Sequence, residues 1–284
     1  MLTSEAALAA FDGRTEDLKT ITRYVLYPVM FYRTNLWIHS RRVAWLVHEI
    51  NPIAQRIFGD SYDPRRAELL ALVHDDPEIF MGDIPAGNKG NMTAEQLEQV
   101  RQTELASIEQ AAARFPEPVD GYNYRELLIE AATYASLESQ VVQFADKFDA
   151  LGEALHEIYG GNVMFASNAI NQYGKIPTPS QYYYKYFDNY LSKFPRMTPL
   201  LAEDMELFQP IPVREDHELR AMALHQPRHN AESFAQSTGY WPYDIWKGVT
   251  MRYGNADDVQ LGLTQTELPI TPLESKDTQQ YTLV

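Results

Sequence analysis

Apolar residues recur at three- and four-residue intervals along most of the chain, and this spacing predicts helices. Leu36, Val43, Leu46, Val47 and Ile50, with His39 among them, predict a helix over 36–58. His48, on the opposite face from His39, is expected at the surface. Residues 4–12 predict a short helix with Ser4 as its N-cap, ended by Asp12-Gly13. Gly59–Pro64 reads as a turn that leads, through an Asp63 N-cap and Pro64 at the first helical position, into a helix over 64–80. Gly82–Asn91 reads as loop. Thr93 and Gln96 form a capping box for a polar helix reaching about Ala113, and Phe115–Val119 is rich in proline and ends it. Residues 123–159 predict one long helix or two in series, with Val141, Phe144, Ala145, Phe148, Leu151, Leu155 and Ile158 as an apolar stripe and Gly160-Gly161 as the stop. Beyond Phe194 prolines become frequent, and residues 266–284 lose periodicity altogether. No repeat and no strand-rich stretch is visible. The expected fold is all-α: a helical bundle over residues 1–195, then a helical and irregular extension over 196–284.

Composition narrows the function. At 45% hydrophobic the 284 residues carry ample material for a core. The chain has no cysteine, so any metal must sit on nitrogen and oxygen ligands. A net charge of −15 argues against a nucleic-acid polymer as partner, because such proteins present a basic face. The opening MLTSEAALAAFDGRTEDLK carries early acids and lacks a basic stretch followed by an apolar core, so no signal peptide is expected. No apolar run approaches the ~20 residues of a membrane span. The expected location is the cytoplasm.

Against that background the stretch LLALVHDDPEIFMGDIPAGNK, residues 69–89, stands out. An apolar helix runs into His74-Asp75-Asp76-Pro77-Glu78, with Asp83 close behind. Unpaired buried charge is expensive, so the cluster needs a partner. A bound divalent cation is one explanation, and a His–Asp hydrogen bond at a helix end is the other. Arg23 and Arg33 lie among aromatic and apolar residues, which suits an anion nearby or pairing with the many carboxylates. Asp146 and Asp149 sit within the apolar stripe of 123–159, and Asp146 could equally pair with Lys147. The tyrosines of QYYYKYFDNY, residues 181–190, suit base stacking or a packed, dimer-forming surface. His225 and His229 are discounted as a metal pair because Pro227 interrupts the helix they would need.

In chain order the candidate ligands are His39, then His74-Asp75, then Asp146, each on a predicted helix. This pattern resembles the HD-domain phosphohydrolase superfamily. The blocks RTNLWIHSRRVAWLVHEI, LLALVHDDPEIFMGDIPAGNK and VVQFADKFDALGEALHEIYGGN resemble the YfbR-like 5′-deoxynucleotidases in particular, with His74, Asp75, Glu78, Gly82, Asp83 and Pro85 matching the phrase HDxxExxxGDxP. The likeness covers roughly residues 18–195.

The resemblance implies His39, His74, Asp75 and Asp146 as ligands of a divalent cation (Mn, Co, Mg or Zn). It implies Glu78 as the group that handles the attacking water or the leaving-group proton, Asp83 as the acid that contacts the sugar, and Arg23 as the phosphate-holding arginine, with Arg33 or Lys89 assisting. Where the family has a tryptophan after that arginine, crowding the sugar 2′ position, this chain has Tyr24. The stretch before the histidine also departs, reading Thr34-Asn35-Leu36. The implied activity is metal-dependent release of phosphate from a small-molecule nucleotide, a (deoxy)nucleoside 5′-monophosphate, by a homo-oligomer. The alternatives are a triphosphohydrolase of the same fold, acting on deoxynucleoside triphosphates, and a non-catalytic nucleotide-binding module. Versions of the fold with two metals add an acid beside the HD pair, a position that Asp76 occupies here.

Overall fold

The computed structural model describes residues 2–29, 34–202, 217–219, 221 and 241–253. Within these residues the molecule is a helical bundle with one small hairpin, as the periodicity predicts. Three helices form its centre: α2 (Leu36–Phe58), α3 (Pro64–Val73) and α8 (Leu137–Tyr159), each packed against the other two. Each begins where a side chain satisfies the orphan N–H groups of a first turn. Asn35 accepts from the Ile38 N–H, Asp63 accepts from those of Arg65 and Arg66, and Ser136 forms a capping box with Ser139. Val43, Trp45 and Leu46 of α2 meet Leu69, Leu70 and Val73 of α3 and Val141, Leu151 and Leu155 of α8 in one core. Every residue of α8 except Lys147 is buried.

The other elements flank this centre. α1 (Arg14–Thr20) lies against α2. α6 (Ala94–Arg114), opened by the expected Thr93–Gln96 capping box, keeps most of its surface in solvent and packs against α7 (Tyr124–Thr133). α9 (Pro179–Asp188) lies on α8, followed by α10 (Tyr190–Lys193) and α11 (Thr198–Ala202). Strands β1 (Ala169–Asn171) and β2 (Gly174–Ile176) pair antiparallel, Ala169 opposite Ile176. α12 (Trp241–Tyr253) packs against α8 and α2. No described helix is long and apolar enough to cross a membrane.

Three expectations change, and one left open is decided. The 64–80 helix is broken: α3 stops at Val73, residues 74–77 form turns, and α4 covers only Glu78–Met81. Pro77 is the cause, since it has no N–H for the Val73 carbonyl and disfavours helical geometry at Asp76. The Asp76 N–H takes that carbonyl instead at 3.0 Å. Of the two readings of 123–159, two helices in series is the one observed, α7 being closed by Tyr134 in the left-handed region (φ 54°). The 82–91 loop contains a short α5, Ala86–Lys89. At the N-terminus Ser4 caps nothing: the helix is a 3₁₀ segment over Thr3–Leu8, and the Ser4 hydroxyl is spent on the Glu68 carboxylate of α3 at 2.8 Å. His225, His229, residues 266–284 and Arg33 lie outside the described residues.

Candidate metal centre and its cleft

The break at Pro77 turns the chain so that His74 and Asp75 face His39 of α2 and Asp146 of α8. His39 Nε2 lies 3.2 Å from Asp146 Oδ1 and 3.5 Å from Asp75 Oδ2, while His74 Nε2 lies 3.3 Å from Asp75 Oδ1. Ligand atoms of His39, His74 and Asp146 fall within 4.8 Å of one another.

The tautomers are set from behind. His74 Nδ1–H donates to the Ala71 carbonyl at 2.8 Å, and His39 Nδ1–H donates to Asp149 at 2.7 Å. Both Nε2 lone pairs are thereby left facing the group, and neither buried Nε2 has a hydrogen-bond partner. Two orphaned imidazole nitrogens among carboxylates fit a divalent cation, which takes neutral imidazole and anionic oxygen together. Burial and the Arg23 charge push against protonation of His39, yet the nearby Asp146 and Asp149 carboxylates outweigh them and raise its pKa. Burial likewise opposes ionisation of Asp146, but Lys147, with Nζ at 2.6 Å, and His39 hold that carboxyl well below the usual range. The Asp146–Lys147 pair foreseen as the alternative to a metal site is therefore present together with the cluster.

Asp76 does not join this group. It points away into the core, where Arg14 Nε and Nη2 each reach it at 2.7 Å and the Tyr124 hydroxyl donates at 2.7 Å. With no exposure and three donors, Asp76 is a structural anchor that pins the HD turn to α1 and α7, and its reading as an acid of a second metal is corrected.

Beside the cluster opens a cleft lined by Arg23, Tyr24, Asp75, Glu78, Asp83, Lys89, Asp146 and Lys147, with Tyr182 and Tyr183 of α9 across from them. Arg23 follows an isolated antiparallel bridge between Thr22 and Asn35, and its N–H donates to the Thr34 carbonyl at 2.9 Å. Its guanidinium stands 3.9 Å from both Asp75 Oδ2 and Glu153 Oε2. Tyr24 adopts φ 53°, uncommon for a side chain this size, and its hydroxyl donates to the Ala150 carbonyl at 2.5 Å. Gly82, at φ 75°, makes the turn from Glu78 to Asp83 without a Cβ penalty. Burial, then Asp75 and Asp83, push the Glu78 carboxyl well above the ordinary carboxylate range, and one of its oxygens is buried without a hydrogen-bond partner. Burial also raises Asp83, against the pull of Arg23. Thus Arg23, Tyr24, Asp83 and Lys89, expected at a substrate, share one cleft with Glu78 and with Asp75 and Asp146 of the cluster.

Lys147, foreseen only as a partner of Asp146, lines the cleft, as do Tyr182 and Tyr183 of the tyrosine-rich stretch 181–190. Arg42 and Glu153 were not singled out from the sequence. Behind His39, Arg42 donates through Nε to Asp149 Oδ1 at 2.7 Å and through Nη2 to Glu153 at 2.6 Å. Glu153 also accepts from the Thr34 hydroxyl. The signal for this layer is a charged ladder at helical spacing within apolar faces: His39 and Arg42 on α2, and Asp146, Asp149 and Glu153 on α8.

A family model described as 5′-deoxynucleotidase YfbR-like matches residues 11–194. A 5′-deoxynucleotidase of Vibrio parahaemolyticus is 30% identical over 132 residues, a stretch that is 46% of this chain and 66% of that protein. The 5′-deoxynucleotidase YfbR of Shigella flexneri is 30% identical over 159 residues, 55% of this chain and 76% of the relative. A conserved hypothetical protein from Pyrococcus furiosus, of solved structure, is similar with 22% identity and a TM-score of 0.39, over 52% of this chain and 80% of that one.

Proposed function

Because this chain belongs to the YfbR-like 5′-deoxynucleotidase family, we propose that it is a metal-dependent phosphohydrolase releasing phosphate from nucleoside 5′-monophosphates. The observation that carries the proposal is the pair of orphaned Nε2 atoms of His39 and His74, facing Asp75 and Asp146 at the wall of a cleft that also holds Arg23 and Glu78.

In this reading His39, His74, Asp75 and Asp146 hold the cation, and Mn²⁺, Co²⁺, Mg²⁺ or Zn²⁺ suits the donor set. When bound, it supplies Lewis-acid charge to the phosphoryl group and lowers the pKa of water. Arg23 grips the phosphate through its planar fork and neutralises charge that redistributes as the P–O bond breaks. Lys89 adds a second positive charge at the same cleft, and Arg33 completes the set assigned to phosphate. Glu78 orients the attacking water and moves its proton. With its pKa raised by burial and by Asp75 and Asp83, the Glu78 carboxyl holds a proton more readily than an ordinary carboxylate and can return it to the leaving 5′-oxygen. Asp83 accepts a hydrogen bond from a sugar hydroxyl. Tyr24, drawn toward Ala150, leaves the sugar's 2′ position less crowded than an indole would. The same reading carries a cytoplasmic location and a homo-oligomeric state.

A triphosphate substrate is the second reading, favoured by one feature. A further cavity adjoins the cleft across Asp75, Glu78, Asp146 and Lys147, and both Lys89 and Lys147 line it as well. A longer anion has basic groups to meet there. The deciding experiment screens nucleoside mono- and triphosphates with each of the four cations, resolving phosphate from triphosphate. Phosphate from monophosphates is the expected product, and triphosphate release identifies the second reading. Tight binding without turnover identifies a nucleotide-binding module and overturns both.

A further inference from the structure

The histidine in the cluster has a support that comes from outside the family-matched residues. Asp149 Oδ2 accepts from His39 Nδ1–H at 2.7 Å and from Arg42 Nη2 at 3.0 Å, and its Oδ1 accepts from Arg42 Nε at 2.7 Å and from the Trp246 indole N–H at 3.0 Å. Trp246 lies on α12, some fifty residues past the end of the matched stretch at 194. Both Asp149 and Trp246 are buried. The Arg42 guanidinium also stands over the Trp246 ring, 5.5 Å from its centroid. The approach is specific to the residue beneath: a Cβ at Gly152 of α8 would fall 2.1 Å from Trp246 Cγ, so only glycine there lets the indole descend to Asp149.

We propose that Trp246 is a positioning residue for the metal ligand His39, so that the C-terminal extension completes the metal centre. Arg42 grips both oxygens of the Asp149 carboxylate, and the Trp246 N–H, as a second donor on Oδ1, sets where the plane rests against that fork. That plane fixes where the other oxygen meets His39 Nδ1–H, and hence where the Nε2 lone pair points. With the indole donor gone, the Arg42 fork still holds both oxygens, but Oδ1 loses its second donor and the carboxylate shifts against the fork, carrying the imidazole with it. The inference rests on the metal reading of His39, His74, Asp75 and Asp146, and its consequence is for metal affinity more than for substrate binding.

The test measures Zn²⁺ binding by calorimetry on the full chain, comparing wild type with Trp246→Phe, which keeps a ring and removes the N–H. Outer-layer partners of metal ligands are worth roughly 10- to 100-fold in affinity. Since Arg42 remains, the expected loss is about threefold to tenfold. Tyr243→Phe on the same helix is the packing control; its hydroxyl faces His156 Nδ1 at 3.4 Å, away from Asp149, and it should bind Zn²⁺ as wild type does. Equal affinity for Trp246→Phe and wild type, or equal losses in both variants, would overturn the proposal. A second measurement needs no variant. In ¹⁵N-labelled wild type, an indole N–H bonded to the Asp149 carboxylate should shift when Zn²⁺ is added, and four unmoved indole resonances would refute the coupling. If wild type binds no Zn²⁺ at all, the metal reading itself fails, an outcome distinct from either result on Trp246.

Discussion

Replacing Glu78 with glutamine separates a catalyst from a scaffold. The substitution preserves length and polarity, so the cleft keeps its shape, but it removes the group that can take and return a proton. Glu78 sits just past the HD turn, lines the cleft with Arg23 and Asp83, and keeps one oxygen buried and unbonded, ready for a water or a leaving oxygen. A positioned acid–base group is worth ~10²–10⁴-fold in rate. At about 1.36 kcal/mol per tenfold, this corresponds to roughly 2.7–5.4 kcal/mol of transition-state stabilisation. Turnover should fall by that factor, with the Michaelis constant and metal content little changed. Stability should move the other way. The folded-state pKa of Glu78 is raised by burial and by Asp75 and Asp83, so the charged carboxylate costs stability at neutral pH, and the cost is relieved as pH falls through the raised value. Metal-free Glu78→Gln should therefore melt higher than wild type at neutral pH, and the gap should close in acid. Steady-state kinetics, metal analysis and melting on one preparation decide the matter. Near wild-type turnover would refute the catalytic role and reduce Glu78 to a partner of Lys89, while lost metal would make it a ligand.

Other residues give further tests. Asp76→Ala leaves the Arg14 guanidinium buried beside an empty space; breaking such a pair costs about 3–5 kcal/mol, so thermal melting should drop sharply, and a variant that melts normally but loses bound metal would restore Asp76 as a ligand. Asp149 is held below the usual carboxyl range, against its burial, by Arg42 and His39. Its contribution to stability is thus complete above its unfolded pKa, ~3.9, and drains away as pH falls through the depressed folded value; Asp149→Asn should flatten the acid limb of the metal-free melting profile, and an unchanged limb would show that Asp149 is not the linked group. Tyr24→Trp should restore crowding at the sugar: wild type should cleave ribo- and deoxyribonucleotides within about tenfold of each other in kcat/KM, and the variant should favour the deoxy form by a further ~10-fold or more, whereas strict deoxyribose preference in wild type would refute the role given to Tyr24.

The helices and their starts were legible in the sequence because their causes are local. Asp63-Pro64, Thr93 with Gln96, and the apolar spacing of 36–58 act within three or four residues, and the structure places α2, α3 and α6 where these signals put them. The ligand candidates were legible for a related reason: His39, His74-Asp75 and Asp146 are ionisable groups on helices too apolar to bury them unpartnered. Partner choice was not legible, because it is made between residues far apart in the chain. Asp75 and Asp76 are chemically alike and adjacent, yet the turn at Pro77 sends one toward His39 and the other to Arg14 and Tyr124. Asp149 reads as one more acid on an amphipathic helix until α2 brings His39 and Arg42 against it and α12 brings Trp246. A carboxylate's role depends on which donors surround it, and only the packing of α2, α8 and α12 determines which donors those are.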